Sequence, residues 1–325
     1  MRFDDSTPQQ SALIDLSDAP DPRVGRIVVS GLTKRYKNLN AVDNLSFIVE
    51  PGRVTGFLGP NGAGKTTTLR MILNLVSPTA GTATISGCRY LDLPSPTRHV
   101  GAILEASSAH GARSGLDHLR IICAAAGLPD SRADEVLALC GLTPAADRRF
   151  KGYSLGMRQR LGVAAAMLGD PQVLILDEPA NGLDPEGIRW MRGLLQSLAA
   201  EGRTILVSSH LLSEMEQLAH DVIIIADGHL VRQGSVAEVV NSSDTTTSYV
   251  RVRTPSADEL TTALTAQGAV VTPAGDGALL VAGMAAAAVG AAAFAAGIEL
   301  HELAEARPDL EDVFLELTAG MAAIR

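Results

Sequence analysis

A glycine-rich octapeptide between two patterned segments constrains this chain of 325 residues more than any other feature. Residues 59–66 are GPNGAGKT and fit the pattern G-x-x-x-x-G-K-[ST] at every defined position. Residues 53–58, before it, have the composition of a strand, and residues 65–75, after it, have the spacing of a helix. A strand, a tight glycine turn and a helix in this order predict an α/β fold with a phosphate-binding loop.

The residue types in this loop explain how it would hold phosphate. Glycines allow backbone N–H groups to turn inward, and the helix that starts near Lys65 directs its free amides at the same anions. Lys65 supplies a positive charge for the β- and γ-phosphates, and Thr66 supplies a hydroxyl for Mg²⁺. We expect the phosphate-binding residues to be Gly59, Pro60, Asn61, Gly62, Ala63, Gly64, Lys65, Thr66 and Thr67.

Two carboxylates follow an apolar run farther along the chain. Residues 173–176 are VLIL and lead directly into Asp177 and Glu178. A buried parallel strand that ends in acids places them at the carboxyl edge of its sheet, where ligands bind in such folds. Alone, the pattern also fits a simple strand-to-loop transition. Together with the phosphate loop, it predicts that Asp177 holds Mg²⁺ and that Glu178 orients or deprotonates water.

The net charge and the cysteines narrow the classes of function. The chain has 36 acidic and 27 basic residues, a formal net charge of −9, and this disfavours a general nucleic-acid binder. Cys88, Cys123 and Cys140 lack a metal-ligand spacing and are typical of reduced cytosolic thiols. Residues 277–298 carry no charge, but their alanine and glycine content predicts a short strand and a helix. We therefore expect no direct membrane insertion.

Composition and periodicity divide the chain into four parts. Residues 1–25 are rich in Asp, Pro, Ser and Gln and predict a disordered acidic tail. Residues 26–241 alternate strand and helix patterns around a parallel sheet, with a helical insertion at about 88–170. Residues 242–248 are small and polar and fit a linker. Residues 249–325 follow the order β-α-β-β-α-β of a small ferredoxin-like α+β domain, and a last helix could pack on either domain.

Several short motifs in a fixed order resemble the ATP-binding subunits of ABC transporters over about residues 26–240. These motifs are Walker A at 59–66, Walker B at 174–178, the signature at 154–160, the D-loop at 181–184 and the switch histidine at His210. The resemblance implies an ABC cassette, which is a P-loop NTPase core with a helical subdomain. It also implies ATP and Mg²⁺ as cofactors and an ATP-dependent dimer.

The resemblance also assigns roles to residues outside the phosphate loop. In this family the signature helix of one subunit faces the γ-phosphate held by a second subunit, so Ser154, Gly156 and Asp184 would contact nucleotide across the dimer. The free amides of a helix that begins near Ser154 agree with this role. His210 would contact the γ-phosphate as a catalytic residue. Tyr36 would stack on adenine, although a surface tyrosine without a ligand explains that position equally well.

Two sites depart from the common family pattern. Leu155 and Met157 replace a glycine and the glutamine of the usual signature, in a form similar to that of bacterial drug-resistance exporters of the daunorubicin and bacitracin type. Glu105 stands where the family places the Q-loop glutamine, and its carboxylate could bind Mg²⁺ or water. Residues 106–116 are expected to contact a membrane partner. Residues 309–314, DLEDVF, also resemble the C-terminal end of that branch.

The sequence therefore predicts an export ATPase for a drug-like or antibiotic molecule. We expect it to be cytoplasmic, bound to the inner face of the membrane through a separate permease, and paired with itself or a paralogue. An importer or lipid-handling ATPase would use the same chemistry. A non-transport ATPase that acts on ribosomes or DNA is disfavoured, because there is one cassette and fewer than about a hundred residues separate Lys65 from Ser154.

Overall fold

The computed structural model of the protein describes residues 24–37, 39–104, 109–241, 249–274, 277–306 and 309–318. Most of the predicted tail, Glu105 and the predicted linker at 242–248 lie outside these residues. The Gly25 amide donates to Ser86 Oγ at 2.9 Å, and the Gly25 carbonyl accepts from Thr204 Oγ1 at 2.7 Å. Gly25 is therefore part of the fold, and the tail that was predicted at residues 1–25 ends before this residue.

The chain order alternates strands and helices, which confirms the predicted α/β class. The strands are β1 (Ile27–Tyr36), β2 (Leu39–Val49), β3 (Val54–Leu58), β4 (Ala80–Ile85), β5 (Val100–Ile103), β6 (Val173–Asp177), β7 (Thr204–Ser208), β8 (Asp221–Ala226), β9 (His229–Ser235), β10 (Tyr249–Arg253), β11 (Val270–Pro273), β12 (Leu279–Ala282) and β13 (Glu302–Ala306). The helices are α1 (Lys65–Ile72), α2 (Pro96–His99), α3 (Gly115–Ala126), α4 (Ser131–Leu139), α5 (Leu155–Met167), α6 (Pro185–Ala200), α7 (Leu212–Leu218), α8 (Val236–Asn241), α9 (Ala257–Thr265), α10 (Ala286–Ala295) and α11 (Leu310–Thr318).

A six-stranded sheet with the order β5-β6-β7-β3-β8-β9 carries the functional loops. The first five strands are parallel, and β9 pairs antiparallel with β8. Every residue of β3 and β7 is buried, as expected for central strands covered on both faces. Because β7 lies between β6 and β3, the loops that follow these three strands meet at one edge of the sheet.

Helices α3, α4 and α5 form the helical part of the first domain, and their apolar faces pack together. Leu119, Val136 and Leu161 from the three helices are buried in one core. The predicted insertion at 88–170 begins too early, because β5 belongs to the sheet. Residues 100–103 pair in parallel register with residues 173–176. A four-residue strand is too short to show a clear period in the sequence.

A three-stranded antiparallel sheet, β2-β1-β4, packs against the phosphate loop and α1. Its apolar residues form a second core with Leu69 and Ile72 of α1. The ring centroids of Phe47 in β2 and Phe57 in β3 lie 5.5 Å apart and connect the two sheets. This packing brings Ala41 of β2 to the phosphate loop.

The C-terminal domain is a four-stranded antiparallel sheet with the order β11-β12-β10-β13. Its first strand lies between its third and fourth strands, and α9 and α10 pack on its apolar face, as predicted for a β-α-β-β-α-β unit. The uncharged segment 277–298 forms β12 and α10, as predicted. No helix within the described residues is both long and apolar enough to cross a bilayer.

The last helix, α11, packs on the first domain. Leu310 and Val313 are buried in the core that holds the parallel sheet and the helices beside it. The Leu310 amide also donates to Glu216 Oε2 in α7 at 3.3 Å. Because α11 packs on the first domain, the C-terminal domain that was predicted at 249–325 ends before this helix.

Candidate active site

The loop between β3 and α1 forms a cleft of about 280 Å³ at the carboxyl edge of the parallel sheet. The cleft is lined by Ala41, Asn61, Gly62, Gly64, Lys65, Thr66, Thr67, Asp177 and Glu178. Thr66 and Asp177 are 111 residues apart in the chain, yet their side chains touch here. The structure thus brings the predicted phosphate loop and both predicted carboxylates into one site.

Gly64 occupies a position that no other residue can fill. Its φ is +100°, and a Cβ on it would lie 2.5 Å from the carbonyl oxygen of Ala41. It is the N-cap of α1, whose first turn contains no acidic residue. The partial positive charge of the α1 N terminus therefore faces the cleft, as an anion site requires.

Lys65 places a buried ammonium beside the loop. Its Nζ donates to the carbonyl oxygens of Gly59 at 2.5 Å and Pro60 at 3.2 Å. Burial lowers the pKa of Lys65, and the negative charges of Glu178 and Asp177 oppose this effect. A bound phosphate would favour the charged form in the same way, so this ammonium is placed to bind an anion.

Asp177 is held by two hydroxyl groups. Thr66 Oγ1 donates to Asp177 Oδ2 at 2.7 Å, and Ser208 Oγ donates to Asp177 Oδ1. The hydroxyl of Thr66 and the carboxylate of Asp177 are the oxygen donors that Mg²⁺ prefers. The described residues contain no cluster of three His, Cys, Asp or Glu side chains that could hold a metal.

Sequence reasoning missed Ser208, although the pairing of β7 with β6 indicates its contact with Asp177. Ser208 is fully buried, ends β7 and lies directly opposite Asp177 at the end of β6. Its carbonyl and its Oγ also accept from the Glu178 amide at 3.2 and 3.0 Å. One serine therefore holds the Asp177 carboxylate and the Glu178 backbone. A polar residue that ends a strand next to an acid-ended strand predicts such a contact.

Glu178 and His210 form a contact at the rim of the cleft. Glu178 has a φ of +51°, which is rare for a residue with a side chain. His210 Nδ1 lies 2.7 Å from Glu178 Oε2. Side-chain exposure is 25 % for Glu178 and 52 % for His210, so water reaches both. The geometry matches a base that is oriented by a second residue.

The signature and D-loop residues lie outside this cleft. Ser154 is the exposed N-cap of α5, and its Oγ accepts from the Met157 amide at 3.2 Å. Asp184 caps α6 by accepting from the Gly187 amide at 2.8 Å. Neither these two residues nor Gly156 lines the cleft of the same chain. Their predicted contact with nucleotide therefore stays a prediction about a second subunit.

The signature helix and the D-loop are joined within one chain. A Cβ on Gly182, whose φ is +74°, would lie 2.0 Å from Leu155 Cδ2, so the D-loop backbone lies directly against this leucine. Buried Gln159 donates from Nε2 to the Asn181 carbonyl at 3.0 Å. Sequence reasoning did not single out Gln159. These contacts hold the two motifs next to each other.

Tyr36 lies near the end of β1 and does not line the cleft. Its residue exposure is 47 %, and the Nζ of Lys34 is 5.0 Å from its ring centroid. Its stacking on adenine stays a prediction. The predicted metal contact of Glu105 concerns a residue outside the described part of the chain.

Comparisons with known proteins show the family of the chain. The ABC transporter family matches residues 42–181. The ABC transporter ATP-binding protein YhcH of Bacillus subtilis is 42 % identical over 231 residues, which is 70 % of this chain and 75 % of the relative. The chain belongs to the ATP-binding proteins of ABC transporters. It is therefore an ABC-type ATPase.

Other relatives of this ABC ATPase match the same part of the chain. The bacitracin transport ATP-binding protein BcrA of Bacillus licheniformis is 44 % identical over 64 % of this chain and 69 % of its own length. A solved ATP-binding subunit of an ABC transporter has a TM-score of 0.61 at 28 % identity and covers 66 % of this chain and 91 % of that one. A domain of unknown function matches residues 248–311. The relatives agree with the predicted drug-resistance exporter branch.

Proposed function

We propose that this ATPase energises a separate membrane permease that exports a drug-like or antibiotic molecule. The observation that carries the proposal is the cleft in which Lys65, Thr66, Asp177 and Glu178 meet. Relatives named for bacitracin transport in Bacillus licheniformis and for lantibiotic transport in Streptococcus pyogenes support the class of transported molecule.

In the proposed reaction, the protein mainly positions ATP and neutralises its charge. The loop amides and Lys65 hold the phosphates. Thr66 and Asp177 would hold Mg²⁺, which would supply further positive charge there. Glu178 orients or deprotonates the attacking water. His210 holds the Glu178 carboxylate at 2.7 Å and contacts the γ-phosphate. The products are ADP and inorganic phosphate.

The active form in this proposal is a dimer. The exposed N terminus of α5 at Ser154 closes on the phosphates held by Lys65 of a second subunit. A self-pair is the simpler arrangement, because one chain contains both halves of the site; a paralogue is the alternative. A solved cassette with a similar fold, at a TM-score of 0.59 and 24 % identity, is described as a dimer in a post-hydrolysis state.

The proposal places the chain on the cytoplasmic face of the cell membrane, held there by the permease. An importer or lipid-handling transporter has the same ATP chemistry and is the alternative that the cleft does not distinguish. A role on ribosomes or DNA is less compatible with the net charge of −9.

Co-purification from membranes tests this function. The full chain carries an affinity tag, and we expect it to retain an integral membrane protein with several apolar spans. Candidate antibiotics are then added to the purified complex, and we expect one class to stimulate ATP hydrolysis. The Glu178→Gln chain in the same complex serves as the control that cannot respond. Capture of ribosomes or DNA in place of a membrane protein would contradict the proposal.

A further inference from the structure

The side chain of Gln159 is buried and only partly hydrogen-bonded. Gln159 lies in α5, and its residue exposure is 5 %. Its Nε2 donates to the backbone carbonyl of Asn181 in the D-loop at 3.0 Å. Its Oε1 is also buried and accepts no hydrogen bond from the described residues. The contact that requires an amide at this position is therefore the one with Asn181.

Packing alone does not account for a glutamine at this position. A buried polar atom without a partner destabilises a folded protein. A methionine has nearly the same length and shape, and it would fill the site without an unpaired oxygen. The unpaired oxygen therefore lowers stability, and what Gln159 supplies that methionine could not is the hydrogen bond to the D-loop.

The D-loop carbonyl that accepts this hydrogen bond belongs to the turn that carries Glu178. The Asn181 amide donates to the Glu178 carbonyl at 3.2 Å, which closes a turn between the two residues. Pro179 occupies the second position of the turn, where its fixed φ is favourable. On the other side, the Glu178 amide donates to Ser208. The backbone of Glu178, whose φ is +51°, is thus held from β7 and, through the turn, from α5.

Helix α5 also begins at the residue that is proposed to meet the second subunit. Ser154 caps its N terminus, and Gln159 lies within its N-terminal half. Leu155 lies against Gly182 of the D-loop, which brings the same two segments together. One helix is therefore connected to two ATP molecules in the proposed dimer. Its N terminus faces the ATP held by the second subunit, and Gln159 connects it to the Glu178 turn beside the ATP of its own subunit.

We propose that Gln159 is a positioning residue for ATP hydrolysis, an inference that rests on the proposed role of Glu178 as the base. Its Nε2–H holds the Glu178 turn against α5 and thereby fixes the direction in which the Glu178 carboxylate points. Gln159 is not among the described residues that line the cleft, so it acts through Glu178 and not by contact with ATP. Loss of this hydrogen bond should therefore reduce turnover and leave the affinity for ATP unchanged.

A positioning role and a structural role predict different behaviour of a methionine variant. If Gln159 served stability, Q159M would lower the free energy of unfolding, and turnover would fall only as far as the folded fraction falls. If Gln159 positions Glu178, Q159M removes both the hydrogen bond and the unpaired oxygen. The free energy of unfolding is then equal to that of the parent or higher, while each folded molecule hydrolyses ATP more slowly.

The test measures ATP hydrolysis and urea unfolding of the full chain. Q159M should lower kcat about tenfold, since a small displacement of a catalytic group is enough for such a loss. The ATP concentration for half-maximal turnover should change by less than about twofold. The urea midpoint of Q159M should be no lower than that of the parent. Q172M is the matched control and should retain the parent kcat, because Gln172 Nε2 donates to the Gly202 carbonyl at 2.9 Å at the opposite, amino edge of the sheet.

The Q159E variant adds a pH-dependent readout. Its protonated carboxyl group can donate to the Asn181 carbonyl, whereas the ionised carboxylate cannot. Burial raises the pKa of a carboxyl group, so the kcat of Q159E relative to the parent should rise as the pH falls from about 8 to about 6. A loss of packing alone would not produce this rise.

A parent-like kcat in Q159M would overturn the inference. So would a loss of activity in Q159M that is matched by a loss of stability, or a kcat ratio of Q159E to the parent that does not change with pH. Glu178→Gln is measured in the same series. Parent-like turnover in Glu178→Gln would contradict the proposed base and this inference with it, whereas an inactive Glu178→Gln beside a fully active Q159M would contradict the role of Gln159 alone.

Discussion

His210 Nδ1 lies 2.7 Å from Glu178 Oε2, at the rim of the cleft that holds Lys65 and Thr66. The backbone of Glu178 has a φ of +51° and is fixed by hydrogen bonds from its amide to Ser208. When a strained backbone conformation is fixed by hydrogen bonds at a functional site, the strain indicates that the side chain must point in one direction. Here that direction carries the carboxylate towards the phosphate loop.

Replacement of the proposed base should stop turnover without abolishing ATP binding. In Glu178→Gln the side chain keeps its size and loses its ability to accept a proton, so we expect ATP hydrolysis to fall by about a hundredfold or more. ATP-bound dimers should accumulate and be visible by size-exclusion chromatography. Glu135→Gln changes an exposed glutamate on α4 and should hydrolyse ATP at the parent rate. Parent-like turnover in Glu178→Gln would remove Glu178 from the role of base.

Loss of the buried Ser208 hydroxyl should weaken the Mg²⁺ site. Ser208→Ala removes the hydroxyl that donates to Asp177 Oδ1, while the Glu178 amide keeps the Ser208 carbonyl as an acceptor, so we expect the Mg²⁺ concentration for half-maximal activity to rise about tenfold. Ser197→Ala, on the exposed face of α6, is the matched control. An Mg²⁺ titration of ATP hydrolysis measures both variants. Identical Mg²⁺ curves for Ser208→Ala and the parent would show that this hydroxyl does not support the metal ligand.

The docking of α11 on the first domain should contribute to stability. Leu310 is fully buried there, and Leu310→Ala should lower the free energy of unfolding by about 2–5 kcal/mol. Leu315 lies on the same helix with 60 % exposure. Leu315→Ala should change that free energy by no more than about 0.5 kcal/mol. Urea unfolding of the full chain measures both, and equal effects would contradict the docking of α11 on this core.

The three cysteines should differ in reactivity. Burial raises the pKa of Cys140 to about 12 and also raises the pKa of Cys123, while Cys88 is exposed. Because the thiolate is the reactive form, Cys140 remains protonated and inert at pH values near 8. Iodoacetamide should therefore modify only Cys88 in the native chain and all three cysteines after denaturation. Mass spectrometry counts the adducts, and rapid native labelling of Cys140 would contradict its burial.

Local patterns predicted the parts of the fold that depend on neighbouring residues. The loop at 59–66 could be predicted because its glycines meet local requirements, as at Gly64, where a Cβ would lie 2.5 Å from the Ala41 carbonyl oxygen. In the C-terminal domain, turn-forming residues flank strands such as β10 and β12. The order of elements in the C-terminal domain followed from the same signals.

Features that depend on distant contacts were beyond the sequence. Ser208 and Gln159 look like ordinary residues of a strand and a helix until the fold brings Asp177 and Asn181 next to them. The sequence left open which domain α11 packs on. The apolar face of a helix indicates that this face is buried, but it does not identify the surface that buries it. A single chain also cannot show which surface the Ser154 end of α5 meets.

A mixed-dimer experiment tests the central claim that Lys65 of one subunit and Ser154 of another act on the same ATP. Lys65→Ala and Ser154→Arg chains are each expected to be inactive as homodimers. Mixing them regenerates one intact site in every heterodimer, so ATP hydrolysis should recover to about a quarter of the parent rate at equal amounts. No recovery, with heterodimer formation verified, would show that the two residues do not share a site across the dimer.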